Sequence, residues 1–257
     1  MTNSSLVTYT KISPNKTAPR NKPIDRITIH CFVGQVTAQR GCEVFQATTR
    51  QASCNYVIGY DGSIGLSVDE KDRSWCSSNS ANDHRAITFE VASDTTHPYA
   101  VTDKAFQKTI DLCEDICRRY GKKRLLWFGN KDKTLAYTPK PDEMVMTVHR
   151  WFAAKACPGD YLYERHGLIA EEVTKRLNKE EEEVTYEQWK EFMNQYRKEL
   201  SLAPVADYAK EAIKTCVREG IMSNTGTPED PAIERPADFL TRQEAAKMQA
   251  RLIDKIK

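Results

Sequence analysis

Short apolar runs separated by turn residues mark the first part of the chain and predict β-strands. The runs at 26–33 (RITIHCFV), 55–68 (NYVIGYDGSIGLSV) and 85–93 (RAITFEVAS) are rich in β-branched and aromatic residues. Within the second run, Asp61 and Gly62 form a dipeptide typical of a hairpin turn. We therefore expect two strands joined by a tight turn in that run, and one strand in each of the others.

Helical periodicity follows in two places of the same region. Apolar residues recur at helical spacing after Thr102, and Gly121 ends the pattern; they are Phe106, Ile110, Cys113, Cys117 and Tyr120. A second helix is expected after Pro158-Gly159, burying Leu162, Ile169, Val173 and Leu177. Strands interspersed with helices predict an α/β domain in which helices flank a central mixed β-sheet. The polar segment 128–143 predicts a long loop near a functional site.

A charged run at 178–185 (NKEEEEVT) interrupts the apolar pattern and predicts a linker. We therefore divide the chain into a domain at 1–178 and a small all-α domain at 179–257. Helices are expected near 186–200, 205–219 and 242–256, because Thr185 with Gln188 and Thr241 with Glu244 each match a capping box. One apolar stripe of the first of these helices predicts a packing face; it comprises Tyr186, Trp189, Met193, Tyr196 and Leu200.

Composition narrows the class of protein. Hydrophobic residues at 40% and charged residues at 29% are typical of a soluble globular protein, and no apolar run approaches the ~20 residues of a membrane span. The N-terminus lacks the pattern of a secretory signal, so we expect synthesis in the cytoplasm. The eight cysteines show no disulfide framework and are expected to be mostly reduced. The net charge of +2 favours neither nucleic acid nor membrane as a partner.

Candidate chemistry lies in residues 147–162 (TVHRWFAAKACPGDYL), which place His149, Lys155 and Cys157 within nine positions. Together with His30 at the end of a predicted strand, two imidazoles and a thiolate suit Zn²⁺ with a fourth position left open, which implies catalysis. Taken singly, a strand histidine is more often structural and a cysteine more often a small buried hydrophobe. Glu90 alone reads as an edge-strand charge, and Lys155 alone as a solvated lysine.

The whole pattern is more specific than its parts. A histidine at a strand end, an acidic residue inside a later strand and a second histidine before K-x-C-P-G resemble the zinc amidases of the N-acetylmuramoyl-L-alanine amidase type 2 family. That family includes phage endolysins and peptidoglycan-recognition proteins. The resemblance covers about residues 24–177 and implies that 1–178 is a zinc amidase catalytic domain.

The resemblance implies a role for each matching residue. His30, His149 and Cys157 would hold zinc, Lys155 would face the scissile carbonyl, and Glu90 would be the general base. In another branch of the family a tyrosine stands where this chain has Cys54, so that tyrosine's role is absent, and the strand register disfavours Tyr56 as its substitute. Cys31, next to His30, is expected to point to the opposite face of the strand and pack in the core.

The implied function is zinc-dependent hydrolysis of the amide bond between N-acetylmuramic acid and L-alanine in peptidoglycan. Two alternatives stay open. One is peptidoglycan recognition without turnover, and the other is a cysteine peptidase using Cys157 and His149, which the following Pro158 disfavours because nucleophilic cysteines usually begin a helix with free backbone donors. An endolysin of this kind would reach the cell wall after holin-mediated release.

The tail is a candidate binding module. Residues 205–253 resemble a single divergent unit of the S-layer-homology type, which attaches proteins to cell-wall polymers. The alternative is a helical appendage for stability or self-association.

Overall fold

The computed structural model describes residues 3–179, 185–202, 206–222 and 242–256. The chain divides into two compact units, Met1–Glu180 and Glu181–Lys257. In the first unit the strands are β1 (Tyr9–Thr10), β2 (Lys16–Thr17), β3 (Arg26–Cys31), β4 (Tyr56–Ile58), β5 (Ile64–Leu66), β6 (Arg73–Ser74), β7 (Ala86–Val91), β8 (Arg124–Leu126) and β9 (Glu143–Thr147). Its helices are α1 (Ala38–Val44), α2 (Ser80–Asp83), α3 (Asp103–Arg119), α4 (Lys131–Ala136) and α5 (Asp160–Leu177), with 3-10 turns at Thr48–Arg50 and His149–Trp151.

The described residues form one seven-stranded sheet in the order β1-β5-β4-β7-β3-β9-β8, beside a small β2-β6 ladder. The pair β4-β5 is antiparallel, whereas β4-β7, β7-β3, β3-β9 and β9-β8 are parallel. Gly62, with φ +85°, closes the β4-β5 connection in a backbone conformation that favours glycine. The predicted α/β fold with a central mixed sheet and flanking helices is therefore confirmed.

One face of the sheet carries the apolar core. Strand side chains alternate between faces, so Ile27 and Ile29 of β3 point into a cluster that also contains Phe89 of β7. Helices α3 and α5 cover this face with Ile110, Ile116, Leu162, Ile169 and Val173, all of which are buried. Thr102 caps α3 by accepting a hydrogen bond from the Ala105 amide, and both predicted helices are confirmed.

The other face is polar in its centre. Thr28 and His30 of β3 are fully buried there, next to Thr88 of β7 and Thr147 of β9. Helix α1 covers a neighbouring part of this face, where Cys42 and Phe45 pack on Cys54 and Val57. Because buried polar groups need internal hydrogen-bond partners, this polar centre is where the candidate site lies.

The prediction of a long loop at 128–143 is wrong. Helix α4 begins within it because the Asn130 side chain accepts a hydrogen bond from the Lys133 amide, and β9 begins at Glu143. A polar helix of six residues lacks the apolar spacing by which longer helices are found in sequence.

In the second unit, the described residues form α6 (Tyr186–Leu202), a 3-10 turn (Asp207–Ala209), α7 (Lys210–Arg218) and α8 (Arg242–Ile256). The Thr185 capping box is confirmed, since the Thr185 hydroxyl accepts from the Gln188 amide and the Gln188 side chain accepts from the Thr185 amide. The Thr241 box lies outside the described residues. The predicted packing face of α6 is wrong, because Tyr186 and Trp189 are 70% and 52% exposed. Among the described residues, no helix is long and apolar enough to cross a membrane.

Candidate metal centre

The sheet register places two of the candidate residues side by side. Strands β3 and β7 are parallel neighbours, and His30 pairs directly with Glu90. Adjacent strands lie about 4.8 Å apart, so residues in register on one face have neighbouring side chains. The two residues are 60 positions apart in the chain, and parallel pairing alone brings them together.

The other two candidate ligands come from the segment that follows β9, the other neighbour of β3. His149 begins a 3-10 turn directly after this strand. The chain then folds back, since the Arg150 amide donates to the Cys157 carbonyl at 3.1 Å. Cys157 Sγ consequently lies 3.3 Å from His30 Nδ1, and the rings of His30 and His149 are 5.0 Å apart.

His30, His149 and Cys157 each offer a ligand atom, and these atoms all lie within 4.8 Å of one another. A tetrahedral zinc ion with nitrogen and sulfur ligands holds its donor atoms about 3.5 Å apart, so the set matches zinc after a small contraction. A second group, His30, Cys76 and Glu90, meets the same distance limit. The first group has two imidazoles and one thiol, which suit zinc, and the second places Glu90 close to the shared residue His30.

Burial sets the protonation of these ligands. Burial holds the pKa of His30 well below the usual range, and the neighbouring His149 lowers it further. Burial also lowers the pKa of His149, and the charge of Lys155 adds to this effect. Both imidazoles are therefore neutral near pH 7, the form that binds metal. Burial, and then the Cys31 thiol, raises the pKa of Cys157. A metal ion binding here must displace the Cys157 proton.

Glu90 and Lys155 line one cavity of about 480 Å³ together with His149 and Cys157. Glu90 Oε1 lies 4.0 Å from Cys76 Sγ, while Glu90 Oε2 is enclosed and has no hydrogen-bond partner in the protein. Burial raises the pKa of this carboxyl well above its usual range. Lys155 is exposed at the cavity. The structure thus brings all five predicted site residues to one place.

Tyr56 and Cys54, the positions considered for a catalytic tyrosine, lie outside the candidate site. The buried Tyr56 hydroxyl donates to Glu70 Oε1 at 2.5 Å and accepts from the Ser4 amide, and the side chain packs in the apolar core. Cys54 is buried against Cys42 and Phe45. Neither lines the cavity that holds Glu90.

The position of Cys31 differs from expectation. It is buried, but it lines the same cavity as Cys157, whose thiol lowers the pKa of Cys31. The alternation that sends Ile27 and Ile29 into the core cluster does not extend to Cys31, although Cys31 still pairs in register with Val91.

Sequence reasoning also missed two serines. Ser77 Oγ lies 3.3 Å from His30 Nε2, and Ser78 Oγ lies 3.0 Å from His149 Nε2. Their signal in the sequence is only the polar stretch CSSNS before α2, which reads as a helix cap, and Asn79 is indeed the N-cap.

His30 on the central sheet, together with His149 and Cys157 from the segment after β9, forms a candidate site for a single metal ion, and Glu90 lies beside it. The model of the N-acetylmuramoyl-L-alanine amidase family matches residues 20–160. The chain belongs to this family.

Several solved structures resemble the chain. PlyL is 16% identical with a TM-score of 0.48, over 64% of this chain and 95% of PlyL. The endolysin amidase LysCS from Clostridium intestinale is 16% identical with a TM-score of 0.43, over 68% of this chain and 99% of LysCS. Drosophila peptidoglycan recognition protein SA is 14% identical with a TM-score of 0.44, over 61% and 88% of the two chains. No curated protein matches the sequence.

Proposed function

We propose that this protein is a zinc-dependent N-acetylmuramoyl-L-alanine amidase that cleaves the bond between N-acetylmuramic acid and L-alanine of the peptidoglycan stem peptide. One observation carries the proposal beyond family membership. The ligand atoms of His30, His149 and Cys157 lie within 4.8 Å of one another at a cavity that Glu90 also lines. Amide hydrolysis needs an electrophilic centre and a proton carrier at one place, and these residues supply sites for both.

The donor set fits zinc. Neutral imidazoles and a thiol that can lose its proton are preferred zinc ligands, and three protein ligands leave a position for water or substrate. When bound, zinc would polarise the amide carbonyl and lower the pKa of a bound water molecule to about 7. His30 sits on a fully buried strand, so its position is fixed by the sheet before any ion arrives.

Glu90 is the proposed proton carrier. Glu90 lines the cavity and its Oε2 makes no hydrogen bond in the protein, so the carboxyl group is available to take a proton from water in the cavity and give it to the departing amine. Burial favours the protonated form, which makes the carboxyl a stronger base than an exposed glutamate. A positioned acid–base group of this kind contributes about 10²–10⁴-fold to rate.

Lys155 is the proposed donor to the carbonyl oxygen, where negative charge develops during attack. It is exposed at the cavity beside His149 and Cys157, and so can reach a substrate held there. A single well-placed donor of this type contributes roughly 3 kcal/mol to transition-state stabilisation.

The cavity suits a peptidoglycan fragment. Arg50 and Arg73 line it together with Lys155, and Trp75 adds an aromatic surface. Stem peptides carry carboxylates, which a basic cavity attracts, and sugars stack on indole rings.

The test compares wild type with Cys157→Ser for zinc content and for hydrolysis of purified cell walls. We expect the wild type to hold one zinc ion and to lower wall turbidity while releasing free amino groups, and the variant to lose both properties. Reducing sugars in place of amino groups would identify a glycosidase. Tight muropeptide binding by zinc-loaded protein without cleavage would identify a recognition protein. Inhibition by alkylating reagents with insensitivity to chelators would identify a cysteine peptidase.

We further propose that residues 179–257 form a separate helical domain that binds a cell-wall polymer, with self-association as the alternative. The division of chain contacts at Glu180 supports the separate domain. In this scheme the protein is made in the host cytoplasm and acts on the wall after holin-mediated release.

A further inference from the structure

Two consecutive serines each contact one of the two candidate histidine ligands. Ser77 Oγ lies 3.3 Å from His30 Nε2, and Ser78 Oγ lies 3.0 Å from His149 Nε2. Metal-binding histidines generally use one ring nitrogen for the metal and the other for a hydrogen bond that sets the orientation of the ring. In His30, the nitrogen that does not contact Ser77 is Nδ1, and this atom faces Cys157 Sγ.

The backbone is distorted where this pair occurs. In extended chain, successive side chains point in opposite directions, so adjacent hydroxyls do not ordinarily reach neighbouring rings. Ser78 has φ +56°, in the left-handed region that a serine rarely adopts. Strain of this kind persists where the surrounding structure enforces it, and it concentrates at functional sites.

Helix α2 holds the backbone around Ser78 in this conformation. The buried Asp83 carboxylate accepts hydrogen bonds from the amides of Cys76 and Ser77, at 3.0 and 3.1 Å to Oδ2. Asn79 caps the same helix by accepting from the Asn82 amide. The backbone on both sides of Ser78 is therefore held by a helix of only four residues.

The Ser77 side chain is held as well. Asn82 Nδ2 donates to Ser77 Oγ at 3.3 Å and to Thr28 Oγ1 at 3.0 Å. Asn82 Oδ1 accepts from Arg26 Nη1 at 3.0 Å, and because a guanidinium can only donate, this contact fixes which way the Asn82 amide faces. Arg26 and Asn82 are 6% and 1% exposed, so water does not compete for these bonds.

We propose that Ser77 and Ser78 are positioning residues that hold Nε2 of His30 and His149, so that both rings present Nδ1 to the metal. The inference rests on the zinc site of the proposed function and adds which ring nitrogens bind the ion and which residues decide it. Neither serine touches the substrate's reacting atoms in this role. Their effect is on metal affinity and on ring orientation.

The test measures zinc affinity by competition with a chromogenic chelator for Ser77→Ala and Ser78→Ala. We expect each variant to bind zinc 10–100-fold more weakly. Ser67→Ala is the matched control for Ser77→Ala, because both serines are fully buried and the Ser67 hydroxyl has no hydrogen-bond partner in the protein. Its zinc affinity should equal that of the wild type. Unchanged thermal unfolding of the zinc-free variants separates a positioning role from a general loss of structure.

Ring ¹⁵N chemical shifts give a second readout that does not depend on activity. In the zinc-loaded wild type, the metal-induced shift should appear at Nδ1 of both histidines. A metal-induced shift at Nε2 of either ring, or zinc affinity unchanged in both alanine variants, would overturn this inference while leaving the proposed function intact. A wild-type chain that holds no zinc would overturn the proposed function first, and this inference with it.

Discussion

Replacing Glu90 by glutamine is expected to move activity and stability in opposite directions. The substitution keeps the shape of the side chain but removes its ability to carry a proton. If Glu90 is the proton carrier, hydrolysis should fall by about 10²–10⁴-fold, which at 1.36 kcal/mol per tenfold corresponds to roughly 3–5 kcal/mol of barrier. Zinc content should stay near that of the wild type, because Glu90 is not among the three proposed ligands.

The stability effect follows from the same carboxyl group. Burial raises its pKa, so as pH rises above the unfolded value near 4.5 the unfolded chain ionises first and the folded state loses relative stability. At neutral pH the enclosed, unpartnered Oε2 therefore opposes folding of the metal-free protein. Glutamine has no ionisable group, so Glu90→Gln should remove this loss and stabilise the metal-free protein at neutral pH.

The assays are release of free amino groups from purified walls and thermal unfolding in the presence of a chelator. Glu171→Gln is the matched control, because Glu171 is exposed on α5 and lies outside the cavity of the candidate site; it should change neither quantity. Activity of Glu90→Gln within threefold of wild type would refute the proton-carrier role. A lower unfolding temperature would refute the argument from burial.

Three further outcomes are expected. Lys155→Ala should lower kcat/KM by about 10²–10³-fold and leave the zinc content unchanged. Lys123→Ala, which changes another exposed lysine, should leave kcat/KM unchanged. If the two variants are equally active, Lys155 has no role in the mechanism. Apparent zinc affinity, measured by chelator competition, should rise about tenfold per pH unit near neutrality. The reason is that burial keeps a proton on the Cys157 thiol, and zinc must displace it. A zinc affinity that does not change with pH would contradict a protonated thiol. A chain ending at Glu180 should cleave soluble muropeptides normally but sediment with walls less than the full chain does; equal sedimentation would assign the second domain another role.

The main elements of the sheet and core were predictable because their apolar patterns are long or continuous. β3, β7, α3 and α5 each carry enough buried residues to show a strand or helix period. Helix α4 did not, since its six residues are mostly polar and an asparagine side chain begins it. Exposure of Trp189 was not predictable either, because an apolar stripe on a helix does not reveal what covers it.

The site was predictable only in part. Residue type and position suggested His30, His149 and Cys157 as zinc ligands, and the resemblance added roles for Glu90 and Lys155. That His30 and Glu90 are neighbours depends on the parallel pairing of distant strands. The polar stretch around Ser77 and Ser78 indicated only a helix cap, because their contacts with the histidines depend on a left-handed residue and on the buried partners of a short helix. Contacts between distant parts of the chain cannot be predicted from the local spacing of apolar residues.

The two halves of the centre differ in how far they can yield. His30 belongs to a strand whose six residues are all buried. This strand pairs with β7 over its whole length and with β9 over Arg26–Thr28, so displacing it would disrupt the centre of the sheet. The segment that delivers Cys157 passes through Ala154, Lys155 and Ala156, which are all exposed. If the donor atoms move closer together around an ion, this exposed segment is therefore the part that moves, while the strand that carries His30 stays in place.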